Sequence, residues 1–302
     1  MIYYFIILLL SLISTLFAII RCQRNIKEYN VPSKFLKKQT KFLKKQTNFS
    51  KKQIYSKPSI ITYNIQKFPW SLKTFSNIKN LLKQYSIILL QECFDDTFFT
   101  LTNDFPDYYI YRQKLNNINI LSSGLVIMSK YPINNYSSYH FKNYNPCTLD
   151  CLSQKGFLVA WVKINNQDIC IINTHLQSSD YNRYDVKAIA QLKEILDYIN
   201  SINGSIINGS IINGSFIIGG DFNIDINDLS LTPNLNFSVI SPQDPTIYID
   251  FKTGKSISNH KSGYEGLIFD YFITNKINIS NVQTINNNYS DHNPVSGFIE
   301  LK

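Results

Sequence analysis

The stretch most suggestive of chemistry is an apolar run that ends in two glycines, a carboxylate and an amide, Ile217-Ile218-Gly219-Gly220-Asp221-Phe222-Asn223. We interpret it as a buried strand that leads into an active-site loop. Strand alternation would turn Asp221 and Asn223 to the same side, and the glycines would let a ligand or another backbone approach closely. This geometry suits a site for a metal ion and a phosphate. The alternative is an ordinary strand followed by a Gly-Asp turn.

Further polar phrases end or interrupt predicted strands elsewhere in the chain. Taken singly, each has a structural explanation, such as a cap for Ser290-Asp291 or a hydrogen-bonded core histidine for His175 and His292. Together, and in this order, they indicate one catalytic constellation. The phrases are Tyr63-Asn64-Ile65, Gln91-Glu92, Asn173-Thr174-His175-Leu176-Gln177, Phe269-Asp270-Tyr271 and Ser290-Asp291-His292.

The elements that must position these phrases follow from hydrophobic periodicity. Two helices are predicted, one with apolar spacing from Phe75 to Leu82 and a longer one from Val186 to Ile199. Strands dominate and helices intervene irregularly, which predicts two packed sheets with outer helices. The predicted strands are Ser59 to Ile65, Ile87 to Leu90, Gly124 to Met128, Phe157 to Val162, Ile169 to Asn173, Ile268 to Ile273 and a last one after Pro294.

The basic charge of the chain is confined to its N-terminal part. Met1 to Lys57 carries 12 Lys or Arg against one Glu, a net +11, whereas Pro58 to Lys302 carries 18 against 20 acidic residues, a net −2. A protein that grips a nucleic-acid backbone usually carries its positive charge on the folded surface. The division therefore disfavours nucleic acid as the partner.

The N-terminus has the composition of a membrane segment. Residues 2–20 are almost entirely apolar, which is long enough to cross a bilayer. No Lys or Arg precedes them, whereas Arg21, Arg24 and Lys27 follow. The positive-inside tendency predicts a single-pass membrane anchor with the following domain in the cytosol. The alternative is a signal peptide that is cleaved from a secreted protein.

A basic linker follows the apolar segment. The phrase Lys-Phe-Leu-Lys-Lys-Gln-Thr begins at Lys34 and repeats at Lys41. Such a segment can lie on anionic lipid or form a solvated spacer. We therefore expect three regions: an anchor or signal segment over 1–21, a basic repeat linker over 22–57 and a catalytic domain over 58–302.

The five cysteines fit no metal-binding spacing. Cys93 and Cys170 fall in apolar segments, where a buried free thiol is expected. Only Cys147 and Cys151 are candidates for a pair. The odd count favours a reducing compartment.

The set of polar phrases resembles the endonuclease/exonuclease/phosphatase superfamily, which has the deoxyribonuclease-I-like fold. The resemblance covers about Ser59 to the C-terminus. It implies an α/β fold, a four-layered sandwich of two packed mixed β-sheets with outer helices, here preceded by an N-terminal hydrophobic helix. It also implies cleavage of phosphate esters with Mg²⁺, or with Mn²⁺ as the alternative.

The resemblance assigns the metal ligands. Glu92 matches the metal-binding glutamate of the family, and Asn64 matches the asparagine of the first strand. Mg²⁺ takes oxygen ligands and keeps several waters, so Glu92, with Asn64 or Asp291 nearby, can hold it against a phosphate oxygen. Asn64 would in addition contact the substrate.

The catalytic groups follow in the same way. His292, oriented by Asp270, would take a proton from the attacking water. His175 and the substrate-binding Asn223 would donate to the phosphoryl oxygens as charge builds. Asp221 is the rival base, and the sequence leaves this choice open.

Three longer phrases resemble the neutral sphingomyelinase branch. The spacing of Asp150 and Lys155 is similar to an Asp-Lys pair which that branch uses near its catalytic centre, and the alternative for these two residues is a solvated loop. The phrases are Ser123-Gly124-Leu125 with Ser129 to Ile133, Asp150 to Gly156, and His175-Leu176-Gln177 with Arg183 and Gln191.

We therefore expect a membrane-anchored, Mg²⁺-dependent phosphodiesterase with a monomeric catalytic domain that releases phosphocholine from sphingomyelin. The phospholipid and the membrane would be its partners. Two alternatives remain: an endonuclease or inositol-phosphate phosphatase on the same scaffold, and a catalytically dead membrane adaptor. The intact set of acidic residues and histidines argues against the adaptor.

Overall fold

The computed structural model describes residues 57–68, 71, 74–94, 101, 103–112, 122–143, 153, 155–179, 185–202, 206–207, 210–211, 214–231 and 237–301. They belong to a compact unit, Lys57–Lys302. No helix within these residues is both long and apolar enough to cross a membrane. Several predicted features lie outside the described residues: the hydrophobic helix, the basic linker, Asp150, Arg183, Cys147 and Cys151. The predictions for them stay predictions, as does the domain division at residues 57 and 58.

The described residues form strands and two α-helices, α1 (Ser76–Leu82) and α2 (Val186–Ile202), with one 3₁₀ helix over Ile226–Leu231. The strands are, in chain order, β1 (Ser59–Lys67), β2 (Ile87–Cys93), β3 (Tyr109–Arg112), β4 (Val126–Ser129), β5 (Ile133–His140), β6 (Gly156–Ile164), β7 (Gln167–His175), β8 (Ile206–Ile207), β9 (Ser210–Ile211), β10 (Phe216–Asp221), β11 (Ser238–Ile240), β12 (Ile247–Asp250), β13 (Lys255–Ile257), β14 (Glu265–Leu267), β15 (Asp270–Asn275), β16 (Asn278–Thr284) and β17 (Val295–Glu300).

Two mixed sheets of six strands dominate the fold. The first has the order β16-β17-β1-β2-β4-β3 and the second β11-β15-β10-β7-β6-β5. β1 pairs parallel with β2, and β7 pairs parallel with β10, whereas the other pairs within these sheets are antiparallel. β12, β13 and β14 form a separate three-stranded sheet, called the small sheet below, and β8 pairs with β9.

The core between the large sheets explains the uninterrupted apolar runs of the central strands. In β2, Ile87 and Leu89 belong to the hydrophobic cluster between the sheets, whereas Ile88 and Leu90 belong to the cluster on the outer face. Successive side chains of a strand point to opposite faces, so a strand that is covered on both faces is apolar throughout. Each fully buried aliphatic side chain contributes about 1.5–3 kcal/mol.

A helix covers the outer face of each large sheet. Ile78 and Leu82 of α1 pack on the first sheet, and Leu192 and Ile195 of α2 pack on the second. The expected sandwich of two packed mixed sheets with helices outside is therefore confirmed for the described residues.

One polar contact crosses the apolar core between the sheets. The Nδ2 of Asn173 on β7 donates to the carbonyls of Leu90 and Val126 in the first sheet, at 2.8 and 2.9 Å. The Nε2 of Gln91 donates to the Oδ1 of Asn173 at 2.6 Å and to Thr62 at 3.0 Å. Asn173 and Gln91 are both fully buried. Buried amides need their partners, so this contact fixes the register of one sheet over the other.

Gly220 allows the close approach of β10 to β7 that brings their ends together. It has φ +154, which side-chain-bearing residues rarely adopt, and a Cβ at this position would lie 2.0 Å from the carbonyl oxygen of Thr174. A larger residue would therefore push apart the two strands that end at Asp221 and His175.

We expect Gly220→Ala to destabilise the protein by about 3 kcal/mol or more, because overpacking adds to backbone strain. Gly263→Ala is the matched control: its φ is +85, but nothing lies within 4 Å of the added Cβ. It should cost only about 1–2 kcal/mol of strain. Urea unfolding of both variants measures the difference, and equal losses would show that the packing of β10 against β7 does not need this glycine.

Candidate active site

The predicted site residues lie at one edge of the sandwich. Because β1 and β2, and β7 and β10, are parallel pairs, the carboxyl ends of each pair meet at one edge. β15 runs antiparallel to β10 and starts there, with Asp270 opposite Asp221. The contacts below join the two sheets at this edge. The six residues are Asn64 on β1, Glu92 on β2, His175 on β7, Asp221 on β10, Asp270 on β15 and His292 in the loop before β17.

Asn64 bridges the two sheets. Its Nδ2 donates to Glu92 Oε1 on its own sheet and to Asp221 Oδ2 on the other, both at 3.0 Å. Its Oδ1 accepts from the backbone N–H of Gln66 at 3.1 Å. In this arrangement Asn64 acts as a hydrogen-bond donor between two carboxylates, and its role as a metal ligand stays a prediction.

His292 and Asp270 form a buried pair. The Nδ1 of His292 lies 2.7 Å from Asp270 Oδ2, and both residues are buried. Burial by itself lowers the pKa of His292, but the carboxylates of Asp270 and Asp221 raise it more, so the pKa lies well above the usual histidine value. Because Nδ1 is engaged with Asp270, Nε2 is the ring nitrogen that can exchange protons in the site.

Both histidines point at one carboxylate oxygen. The Nε2 atoms of His175 and of His292 each lie 3.5 Å from Asp221 Oδ2, the same oxygen that accepts from Asn64. Asp221 is 1% exposed, so these contacts compensate for the burial of its charge. Asp221 is therefore the central carboxylate of the site.

Glu92 is held in an unusual conformation. Its backbone has φ 51 at a point where the pairing of β1 with β2 shifts register. Gly124 permits this, because a Cβ there would lie 2.8 Å from the Cα of Glu92. Burial raises the pKa of the Glu92 carboxyl to about 7, against the hydrogen bond from Asn64. A strained backbone and a perturbed carboxyl together are typical of a functional position.

Asn223 and Lys155 meet at one carbonyl. The oxygen of Leu176 accepts from Lys155 Nζ at 2.8 Å and from Asn223 Nδ2 at 3.0 Å. The N–H of Leu176 donates to the carbonyl of Asp221 at 3.0 Å. Lys155 is only 7% exposed, so the solvated-loop interpretation of this residue was wrong. A buried ammonium beside His175 adds positive charge to the site.

The position of Asn223 corrects one expectation. β10 ends at Asp221, so strand alternation does not place Asn223. Asn223 instead has φ 49, and its N–H donates to Asp221 Oδ1 at 3.0 Å, an Asx-type turn that brings the amide back. The active-site loop and the turn were offered as alternatives for this stretch, but the turn itself places the amide of Asn223 in the site.

Asp291 is tied to its surroundings by two serines. Its Oδ2 accepts from Ser256 of the small sheet at 2.5 Å, and its Oδ1 accepts from Ser290 at 3.2 Å. Its charge contributes to the raised pKa of Glu92, so the two carboxyls lie in one electrostatic environment. The role of Asp291 as a metal ligand stays a prediction.

The donor set fits a divalent cation. The buried Oε2 of Glu92 and Oδ1 of Asp270 find no hydrogen-bond partner among the described residues, although each is a strong acceptor. Ligand atoms of Asp221, Asp270 and His292 lie within 4.8 Å of one another. Buried carboxylate oxygens without partners are costly unless a cation binds them. Carboxylate oxygens are the ligands that hard divalent cations prefer.

Sequence analysis gave no supporting role to several residues that hold the site. Gln91, Asn173 and Gly124 stood within the quoted phrases, and an amide inside an apolar strand was the available signal for the first two. Ser256 and Thr246 gave no such signal, because their partners lie far away in the sequence.

Comparison with known proteins agrees with this geometry. The sequence profile described as the Endonuclease/Exonuclease/phosphatase family matches residues 61–292. Sphingomyelinase C of Bacillus cereus is 30% identical over 166 residues, 51% of this chain and 47% of that protein. Phospholipase C of Staphylococcus aureus is 34% identical over 106 residues, 34% of this chain and 30% of that protein. The matched segments thus span less than half the length of either relative.

Solved structures share the fold. A beta toxin variant of Staphylococcus aureus with bound magnesium ions has a TM-score of 0.58 at 21% identity, over 80% of this chain and 99% of that chain. The D. rerio TDP2 complexed with a single-strand DNA product has a TM-score of 0.60 at 15% identity, over 82% of this chain and 100% of that chain. Identities this low establish a common fold alone.

The fold and the site together define the class: a two-sheet sandwich with acidic residues and histidines at one edge that could hold a divalent cation. Within that class, the chain belongs to the Endonuclease/Exonuclease/phosphatase family, whose profile covers most of the described residues.

We expect Glu92→Gln to weaken divalent-cation binding roughly 10–100-fold or more, because an amide is a poorer ligand than a carboxylate. The rise of the melting temperature with added Mg²⁺ or Mn²⁺ measures this. Glu300→Gln, which changes an exposed glutamate on β17, is the matched control and should leave the titration unchanged. An unchanged titration in Glu92→Gln would remove Glu92 from the metal site.

In the metal-free protein, Glu92→Gln should be more stable than wild type near neutral pH. Burial raises the folded-state pKa of the Glu92 carboxyl from its ordinary value of 4.5 to about 7, so ionisation opposes folding. The free energy of unfolding of the wild type should therefore fall relative to that of Glu92→Gln as pH rises from about 4.5 to about 7. The fall should be about 3 kcal/mol or less. Urea unfolding in the presence of a chelator measures this, and parallel pH profiles would show that Glu92 is not desolvated.

Proposed function

We propose that the chain is a Mg²⁺-dependent phosphodiesterase that hydrolyses sphingomyelin and releases phosphocholine. The observation that carries the ester chemistry is the convergence of Asn64, Glu92, Asp221 and the Asp270–His292 pair at one edge of the sandwich. The choice of a choline lipid is supported by relatives that are named sphingomyelinase C and phospholipase C. The buried Lys155 beside the site also supports it.

In this proposal the water nucleophile loses its proton to protein. Nε2 of the neutral His292 imidazole is the acceptor, because Nδ1 is engaged with Asp270. Asp221 lies 3.5 Å from the same Nε2, so it orients His292 and remains the rival acceptor. The oxygen of the water bonds to phosphorus, the bond from phosphorus to the ceramide oxygen breaks, and that oxygen takes a proton from solvent water.

Further donors would stabilise the phosphoryl group as charge builds. His175 lies 3.5 Å from Asp221, and Lys155 and Asn223 both bond the carbonyl of Leu176, the residue after His175. Donors that are fixed before the reaction cost no reorganisation during it. A divalent cation held by Glu92, with Asp291 as its neighbour, would supply further neutralisation of the phosphate charge.

The charge distribution supports a lipid over a nucleic acid. Residues 58–302 carry a net −2, and the basic excess lies before them. A nuclease needs cations along a phosphate backbone, whereas a single phosphodiester headgroup needs only the few that line the site.

The direct test compares substrates on the full chain. We expect phosphocholine release from sphingomyelin dispersed in detergent, dependent on Mg²⁺ and abolished by chelator. DNA and inositol phosphates should be hydrolysed at least about 100-fold more slowly, a discrimination of roughly 3 kcal/mol. His292→Ala, purified identically, reports contaminating hydrolase. Faster cleavage of DNA or of inositol phosphates would replace the lipid proposal with the corresponding alternative.

The same assay tests Asp150 and Lys155 as a unit. If the lysine serves the reaction only when Asp150 holds its loop, Asp150→Ala and Lys155→Ala should each remove most of the activity. The double variant should then be little worse than the poorer single one. Near-wild-type rates for both single variants would remove the pair from the site.

We also propose that residues 1–21 anchor the chain to a membrane with the catalytic domain in the cytosol. The support is the apolar run that Arg21, Arg24 and Lys27 follow. On expression, the full 35.0 kDa chain should sediment with membranes and resist carbonate extraction, and protease added outside intact cells should not cleave it. A shorter, soluble product would indicate a cleaved signal peptide instead.

A further inference from the structure

One residue outside the predicted constellation bonds the backbone of Asp270 and the backbone of the residue that follows His292. Thr246 precedes β12 and is fully buried. Its Oγ1 accepts from the backbone N–H groups of Phe269 and Asp270, at 3.1 and 3.3 Å. Its carbonyl accepts from the N–H of Asn293, the residue after His292, at 2.7 Å. Its own N–H donates to the carbonyl of Leu267 at 2.9 Å.

The small sheet holds Thr246 in place. β12 pairs with β14, with Ile247 opposite Leu267. These two residues pack with Phe269 in a separate hydrophobic cluster. The small sheet also contacts the loop of His292, because Ser256 of β13 donates to Asp291 Oδ2 at 2.5 Å. Ser258, the residue after β13, accepts from Asn293 Nδ2 at 2.6 Å. Thr246 is thus attached to a rigid element that touches both the start of β15 and the histidine loop.

We propose that Thr246 is a positioning residue that sets the separation of Asp270 and His292, with the small sheet as its brace. This inference rests on the proposed phosphodiesterase function. Asp270 and His292 come from segments that reach the site independently, one as the first residue of β15 and the other from the loop before β17. Thr246 bonds the backbone of both segments, through its hydroxyl on one side and its carbonyl on the other.

The hydrogen bond between His292 and Asp270 depends strongly on the distance between them. The contact between His292 Nδ1 and Asp270 Oδ2 is 2.7 Å, and a displacement of about 1 Å takes it outside hydrogen-bond range. Loss of such a contact costs catalysis even when every catalytic group is present. The hydroxyl of Thr246 is the part of this brace that a single substitution can remove without changing the volume.

Two substitutions at Thr246 and one control separate the hydroxyl from packing. Thr246→Val keeps the shape and removes Oγ1, whereas Thr246→Ser keeps Oγ1 and removes a methyl group. Thr274→Val is the matched control. Thr274 lies on β15, the strand that begins at Asp270, and it is fully buried. Its Oγ1 has no hydrogen-bond partner among the described residues. A loss specific to Thr246→Val therefore reports the hydroxyl of Thr246.

The activity readout uses a chromogenic phosphodiester, bis(p-nitrophenyl) phosphate, beside sphingomyelin, so that the result does not depend on the lipid being the substrate. We expect kcat to fall roughly 10–100-fold in Thr246→Val with KM nearly unchanged, because orientation rather than binding is lost. Thr246→Ser should retain at least a third of wild-type kcat, and Thr274→Val should equal wild type.

A double-variant cycle tests whether Thr246 acts through Asp270. In an Asp270→Asn background, the charge that Thr246 positions is already lost, so adding Thr246→Val should lower kcat by less than about twofold. Full additivity of the two losses would overturn the proposal, because it would place the effect of Thr246 elsewhere.

A substrate-independent readout distinguishes failure of this inference from failure of the proposed function. The proton between His292 Nδ1 and Asp270 should give a downfield imidazole N–H resonance in the full chain, assigned by its loss in His292→Ala. We expect it to disappear or shift in Thr246→Val and to persist in Thr246→Ser and Thr274→Val. An unchanged resonance in Thr246→Val would overturn the proposal even if the enzyme acted on another ester. Equal losses of kcat in Thr246→Val and Thr246→Ser would also overturn it, by making the effect one of packing.

Discussion

The structure depends on the compensation of two buried carboxylates that approach each other from opposite sheets. Glu92 and Asp221 share the amide of Asn64, and without that donor the two charges would repel in a region of low dielectric. The histidines that flank Asp221 complete the compensation. The same contacts thus hold the site together and join the two sheets. Burial raises the pKa of the Glu92 carboxyl to about 7, and the hydrogen bond from Asn64 opposes that rise.

The rest of the sandwich maintains that approach. Asn173 and Gln91 hold the register of the two sheets within the core, only one or two residues from His175 and Glu92. Gly220 lets β10 lie close to β7 at the same edge. The small sheet contacts the loop of His292, which lies outside the large sheets, through the hydrogen bond from Ser256 to Asp291. Strands thus carry Asn64, Glu92, His175, Asp221 and Asp270, and hydrogen bonds to the backbone hold the loop of His292.

Much of the fold was predictable from the sequence because strands covered on both faces are apolar throughout. An apolar run such as Ile87 to Leu90 predicts a buried strand, even when the elements that cover it are not known. The polar phrases at the ends of these runs likewise identified the groups now found together. Asp150 could not be followed in the same way, because it lies outside the described residues.

The sequence by itself determined which residue types stand at the strand ends, since local periodicity is written in the chain. Only the tertiary structure decided how they act on each other. Asn64 donates to carboxylates, Lys155 is buried against the carbonyl of Leu176, and Asn223 returns through a turn rather than by strand alternation. Thr246 lies 24 residues from Asp270 and carried no local signal. Hydrogen bonds between residues distant in the chain depend on register and packing, which a local pattern does not encode.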